Sequence, residues 1–157
     1  LTQALAKAAE IRARRPDLVM AVKLASSQLQ GTAAAVSILD EMARHRVAPG
    51  GLVVQVTETV VMGGMGGTLI ECLECLRDAG VNVALDDFGT GHASLLQIRD
   101  VPANIVKIDR SFIGKLTDSA HSQHIVKAII DLAHSLGKLV VAEGVETQAQ
   151  RKLLTQM

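Results

Sequence analysis

Helical and strand patterns of hydrophobic residues alternate along this chain. Apolar residues at helical spacing predict helices over 1–15, 32–45, 68–79, about 93–99, 118–136 and the last residues, and continuous apolar runs predict strands over 18–24, 52–58, 81–87, 104–109 and 138–146. Apolar strands separated by helices favour parallel pairing, with both faces of the sheet covered. The predicted fold class is therefore α/β, with about five β/α units.

Polar and charged side chains stand at the carboxyl end of every predicted strand. In parallel α/β folds these ends meet at one edge of the sheet, where reactive side chains gather. So much charge at successive strand ends is unusual for a purely structural sheet, and it predicts a functional site. The residues are Lys23, Gln55, Glu58, Asp86, Asp87, Lys107, Asp109, Glu143 and Glu146.

The adjacent carboxylates of Asp86 and Asp87 close the third predicted strand. Two neighbouring acids repel each other unless a cation holds them. Carboxylates without histidines suit Mg²⁺ or Mn²⁺, and a pair of such ions is the usual arrangement for phosphodiester cleavage. The alternative is a strand-end ion-pair cluster, in which Lys23 and Lys107 hold the two aspartates.

Composition excludes several classes of partner. The chain has 157 residues and a net charge of zero, with scattered basic residues, so it offers no electrostatic footprint for a nucleic acid polymer. Trp and Tyr are absent, which removes a stacking platform for bases. No apolar run reaches membrane-spanning length and no signal peptide is visible, so we expect a cytoplasmic protein. The chain begins and ends inside helical patterns, which suggests a piece of a longer polypeptide.

Two further motifs favour structural readings. Cys72 and Cys75 lie in mid-helix without a second pair, so a reduced core face is expected rather than a redox or zinc site. His121 and His124 stand at a helix start without a third ligand, and an exposed polar face is expected there. The run GGMGG over 63–67 is interpreted as a mobile connector, and His92 either borders a ligand pocket or is an ordinary loop residue.

Three segments carry a resemblance to a known family. "DDFGTGHASL", "VKIDRSFI" and "VVAEGVETQAQ" closely resemble the EAL-domain family, bacterial phosphodiesterases that open cyclic di-GMP to a linear dinucleotide. "AVKLASSQL" and "LVVQVTET" are similar to its segments V-N-L-S-x-x-Q-L and L-E-L-E-I-T-E-S. The resemblance implies a TIM-type (β/α)8 barrel and two Mg²⁺ or Mn²⁺ ions.

The resemblance also implies roles for individual residues. Asp86 and Asp87 match metal-binding aspartates, and Lys107 matches the lysine near the attacking water. Glu143 matches a glutamate of the catalytic site, which is also expected to bind metal. Glu58 matches a glutamate that orders the loop beside the metals.

Several positions depart from the family pattern. Lys23 stands where the family has a metal-binding Asn, and Gln55 stands where it has a metal-binding Glu. A protonated lysine has no lone pair for a metal, and Gln55 has lost a negative charge. The E-A-L segment is expected before Leu1 and the last strand after Met157, so residues 1–157 are interpreted as an incomplete EAL domain.

These departures lead to one hypothesis about the site. Lys23, together with Lys107, is expected to pair with Asp86 and Asp87 in place of metal, which leaves open whether any ion is bound. The predicted function is an EAL-type cyclic di-GMP phosphodiesterase with weak or no activity. The alternative is an inactive module that serves as a cyclic di-GMP sensor or as a protein-interaction scaffold.

Unpaired strands at both edges of a partial barrel favour association. We therefore expect a homo-oligomer or a part of a longer multidomain signalling protein.

Overall fold

The computed structural model describes residues 1–62, 66–89 and 97–157. Its centre is a five-stranded parallel sheet, in which the strands follow one another in chain order. This arrangement confirms the predicted α/β class with parallel pairing. The strands are β1 (Met20–Lys23), β2 (Leu52–Thr57), β3 (Asn82–Phe88), β4 (Ile105–Ile108) and β5 (Leu139–Ala142).

Helices connect the strands and flank the sheet. They are α1 (Thr2–Arg12), α2 (Gly31–Arg44), α3 (Glu58–Met62), α4 (Gly66–Asp78), α5 (Gln97–Asp100), α6 (Arg110–Ile113), α7 (Ala120–Ser135) and α8 (Gln148–Thr155). The long helices agree with the sequence pattern, whereas α3, α6 and two short 3₁₀ turns were not predicted. Positions 63–65 of the predicted connector, His92 and most of the helix predicted over 93–99 lie outside the described residues.

The hydrophobic core lies between the helices and one face of the sheet. Burial alternates along β2 and β4, because successive side chains of a strand point to opposite faces. Six apolar strand residues on the face that packs against the helices are fully buried. They are Val54, Val56, Val83, Leu85, Val106 and Ile108.

The opposite face of the sheet is covered unevenly in the described residues: the prediction that both faces are covered agrees with Ala84, which is fully buried there, but not with the edge strands. Gln55 and Ile105 are half-buried on this face, and Lys23, Leu139 and Val141 are exposed. The site described below opens on this second face.

Hydrogen bonds fix the ends of the outer strands. The Lys138 ammonium donates to the carbonyl oxygens of Val101 at 3.1 Å and Ala103 at 2.6 Å, which fastens the start of β5 to the loop before β4. Gly137 ends the preceding turn with a φ of 69°, a left-handed conformation that glycine adopts without strain. Among the described residues, no helix is both long and apolar enough to cross a membrane.

Candidate functional site

A β-bulge places both aspartates on the same face of β3. Leu85 pairs with Val106 and Phe88 pairs with Ile108, so Asp86 and Asp87 together lie opposite the single residue Lys107. In a regular strand two successive side chains would point to opposite faces. The bulge returns Phe88 to the core, where it is 4% exposed, and turns both carboxylates to the open face.

Asp87 has a left-handed backbone conformation with a φ of 57°. Aspartate and asparagine tolerate this region better than other residues with a Cβ atom. The sequence therefore supplies, at the bulged position, one of the residue types that can adopt its geometry.

A continuous chain of ion pairs crosses the sheet at the strand ends. The Lys23 Nζ atom lies 3.0 Å from Asp86 Oδ2 and 2.9 Å from Asp87 Oδ2. The Lys107 Nζ atom lies 2.7 Å from Asp86 Oδ1 and 2.5 Å from Glu143 Oε1. The structure thus brings together five of the residues that the sequence singled out, and Lys23 contacts both aspartates as hypothesised.

Burial differs sharply along this chain of ion pairs. The side chains of Asp86 and Lys107 are 6% and 12% exposed, whereas that of Lys23 is 51% exposed. Burial alone would raise the pKa of Asp86, but hydrogen bonds from Lys107 and Lys23 outweigh it and lower the pKa below its ordinary value. Asp86 is therefore held as a carboxylate near the centre of the cluster.

The two lysines are held in their charged forms. Burial would lower the pKa of Lys107, but hydrogen bonds to Asp86 and Glu143 outweigh it and raise the pKa. Hydrogen bonds to Asp87 and Asp86 raise the pKa of Lys23. With three carboxylates against two ammonium groups, these five side chains carry one net negative charge.

The acids of this cluster have the chemistry of a metal site. Oxygen atoms of Asp86, Asp87 and Glu143 all lie within 4.8 Å of one another, and carboxylate oxygens are the ligands that hard divalent cations prefer. The acidic cluster can therefore hold such an ion. The Asp86 and Asp87 oxygens already accept hydrogen bonds from Lys23, so an ion would compete with that ammonium for the same atoms. These residues fit one cation in competition with Lys23.

Glu58 supports the end of β3 from the neighbouring strand. It is the first residue of α3, directly after β2, and is 2% exposed. Its Oε2 atom accepts a hydrogen bond of 2.8 Å from the backbone N–H of Gly89. Gly89 also lies against the ring of Phe112, where a Cβ atom would approach to 2.9 Å. The chain just after the aspartates is thus held from two sides, and a role for Glu58 in ordering the following loop stays a prediction.

The remaining strand-end residues serve other contacts. Asp109 caps α6 by accepting from the Ser111 N–H at 2.9 Å. Hydrogen bonds from the Ser111 side chain and backbone lower the pKa of Asp109. Glu146 is exposed, and its backbone N–H donates to Gln150. Gln55 is half-buried on β2, in register between Lys23 and Ala84. The expectation that all strand-end charges share one site is therefore too broad.

The burial of the two cysteines and two histidines agrees with the structural roles predicted for them. Cys72 is fully buried in the core of α4 and Cys75 is half-buried, both as free thiols. Burial raises the pKa of the Cys72 thiol, which makes it a poor nucleophile. His121 and His124 are exposed on α7, as predicted.

Comparison with known proteins covers the whole chain. The chain is 39% identical over 141 residues to the "Bifunctional diguanylate cyclase/cyclic di-GMP phosphodiesterase MucR" of Pseudomonas aeruginosa, which is 90% of this chain and 20% of that protein. The chain spans about a fifth of the length of the curated relatives that it matches.

Solved structures of EAL-domain proteins also superpose on this chain. The EAL domain of Mycobacterium smegmatis DcpA superposes with a TM-score of 0.91 at 33% identity, covering 99% of this chain and 70% of that one. The manganese and cyclic di-GMP complex of Klebsiella pneumoniae BlrP1 at pH 6 superposes with a TM-score of 0.87 at 28% identity, covering 98% of this chain and 39% of that one. The sequence model described as "EAL domain" matches residues 1–157. These matches confirm the resemblance drawn from the sequence motifs: this chain belongs to the EAL domain family.

Proposed function

We propose that this chain is an EAL-type cyclic di-GMP phosphodiesterase module whose turnover to the linear dinucleotide is weak or absent. One observation carries the proposal: Asp86, Lys107 and Glu143 converge at the strand ends, while Lys23 is bonded to both aspartates. The first half of this observation favours the chemistry named for the relatives. The second half favours a loss of activity.

The side chains suit the handling of a phosphodiester. Lys107 is a partly buried cation between two carboxylates, positioned to orient a water molecule or to balance the charge of a phosphate. Glu143 is half-buried and suited to accept a proton. A Mg²⁺ or Mn²⁺ ion held by Asp86, Asp87 and Glu143 would supply Lewis-acid activation.

Lys23 weakens this arrangement for an electrostatic reason. Its ammonium occupies the oxygen atoms that a divalent ion needs, and two cations on the same carboxylates repel each other. Gln55, which stands where the family has an acid, adds no negative charge to offset this repulsion. We therefore propose that the catalytic ions are bound poorly.

The proposal is tested by incubating the purified chain with cyclic di-GMP and Mn²⁺, separating the nucleotides by chromatography, and measuring binding by calorimetry. We expect binding with slow or undetectable formation of the linear dinucleotide. Asp86→Asn should lower any residual rate by about tenfold or more. The matched control is Asp131→Asn, which removes an exposed acid of α7 that pairs only with Lys127 among the ion pairs of the described residues.

Each outcome bears on a different part of the proposal. Rapid turnover that is lost in Asp86→Asn would contradict the weak activity and leave a competent enzyme. If the chain neither binds nor hydrolyses cyclic di-GMP, the proposal of a cyclic di-GMP module is contradicted as a whole. Binding without turnover favours the second candidate function, a cyclic di-GMP sensor or regulatory scaffold, which the Lys23 contacts also favour.

We further propose that the module works in the bacterial cytoplasm as part of a longer multidomain signalling protein. The curated relatives are about five times as long as the segment that the chain matches. Residues 1–157 would then be an incomplete EAL domain. Sequencing the flanking codons tests this point, because an upstream E-A-L segment and a downstream closing strand are expected.

A further inference from the structure

The aspartate pair on β3 needs a positive partner regardless of any catalytic role. The bulge turns both carboxylates to one face, and Asp86 is almost fully buried there. A buried carboxylate beside a second carboxylate is unfavourable unless a cation compensates for both. The fold of this chain therefore requires a cation beside Asp86 and Asp87.

Lys23 lies where one cation can satisfy both acids. It is the last residue of β1, two strands away from β3, and its side chain reaches across Gln55 on β2. Its Nζ atom is bonded to one oxygen of each aspartate, at 3.0 Å and 2.9 Å. The two ion pairs of Lys107 are with Asp86 and Glu143. Among the ion pairs of the described residues, Lys23 alone bridges the two aspartates.

We propose that the Lys23 ammonium is the resident cation of the Asp86–Asp87 pair, so that this site keeps its structure without a divalent metal. The inference concerns the cation requirement of the fold and does not depend on whether the chain hydrolyses cyclic di-GMP. It goes beyond reduced activity, because it assigns Lys23 a structural role that a metal would otherwise fill.

Loss of the Lys23 ammonium would make the cluster more negative. With Lys23 in place, the cluster of three acids and two lysines carries one net negative charge, and without it the same cluster carries two. The extra negative charge lies on oxygens that are also metal ligands by type and spacing. Removing the ammonium should therefore create a demand for divalent cations that the natural chain lacks.

The test compares Mn²⁺ binding, followed by electron paramagnetic resonance, and thermal unfolding in EDTA and in Mn²⁺. Lys23→Gln replaces the ammonium with a neutral side chain of similar length that carries an oxygen ligand, and Lys23→Met replaces it with one that does not. Lys127→Gln is the matched control, since it removes an exposed ammonium from an ion pair on α7.

For the natural chain we expect the same Tm in EDTA and in Mn²⁺. Lys23→Gln should have a lower Tm in EDTA, recover it in Mn²⁺, and bind Mn²⁺ about tenfold or more tightly than the natural chain. Lys23→Met should show the same loss in EDTA with a smaller recovery. Lys127→Gln should respond to Mn²⁺ as the natural chain does.

Two results would overturn the inference: equal Mn²⁺ affinity in the natural chain and Lys23→Gln, or an unchanged Tm of Lys23→Gln in EDTA. If the variants do not fold, the natural chain decides, because saturable Mn²⁺ binding that raises its Tm contradicts a resident ammonium and an unchanged Tm supports it. No nucleotide is measured, so failure here is distinct from failure of the phosphodiesterase proposal.

Discussion

At the scale of single residues, the backbone at Asp87 shapes the site as much as its charge does. The sequence motif predicted two acids near a cation, and the contacts of Lys23 agree with that prediction. The bulge could not be predicted, because the strand pattern over 81–85, which is apolar except at Asn82, carries no sign of where the pairing register will shift. Turning both carboxylates to one face requires the left-handed φ of Asp87, a backbone conformation that is unfavourable for most residues with a Cβ atom.

Substitutions at Asp87 should separate backbone strain from charge. Asp87→Asn and Asp87→Ala both remove the ion pair with Lys23, but asparagine tolerates a positive φ and alanine does not. We expect Asp87→Ala to have a lower free energy of unfolding than Asp87→Asn by about 1 kcal/mol, measured by urea denaturation. Equal stability of the two variants would mean that the bulge relaxes when the side chain changes.

At the scale of elements, hydrophobic periodicity predicted the five strands and the long helices to within a few residues. It missed α3 and α6, because four or five residues are too few to show a helical period. A capping signal for α6 was nevertheless present: Asp109 precedes the helix and accepts from Ser111 two residues later. The coverage of the sheet was overestimated, since an apolar strand does not reveal whether a second layer exists.

The lysine at the start of β5 predicts a pH dependence of stability. Burial, with a smaller contribution from Arg77, lowers the pKa of Lys138 below its ordinary value. Its neutral amine still has two N–H groups for the carbonyl oxygens of Val101 and Ala103. The unfolded chain therefore binds more protons than the folded chain between the lowered pKa and about 10.4, and stability in that window rises with pH.

The comparison with Lys138→Met isolates this contribution. Relative to the variant, the natural chain should gain free energy of unfolding as the pH rises from the lowered pKa of Lys138 towards about 10.4, and should lose that gain as the pH falls back through the lowered pKa. Chemical denaturation at a series of pH values measures the difference. A flat difference across this range would show that Lys138 titrates alike in both states.

At the scale of the whole molecule, β1 and β5 form the edges of the described sheet. An edge strand presents unpaired backbone groups that can pair with another chain. On β5 the exposed face is also apolar, with Leu139 67% exposed and Val141 43% exposed. The homo-oligomer predicted from the sequence would bury this edge.

A charge on this edge should weaken association. We expect the natural chain to self-associate as its concentration rises, and Leu139→Lys to reduce that association, because a lysine on an edge strand opposes pairing. Sedimentation velocity over a concentration series measures the effect. Val36→Lys, which changes an exposed apolar residue of α2, is the control. Association that is unchanged in Leu139→Lys would place the contact elsewhere.

The chain order of the strands has a consequence for how the protein is made. Each strand from β2 to β5 pairs with the strand synthesised just before it, so the sheet can form one strand at a time as the polypeptide leaves the ribosome. Lys23, Asp86 and Lys107 can meet once β4 has docked, whereas Glu143 joins only with β5. A nascent chain would therefore pair its aspartates with lysines before β5 adds the third acid of the cluster.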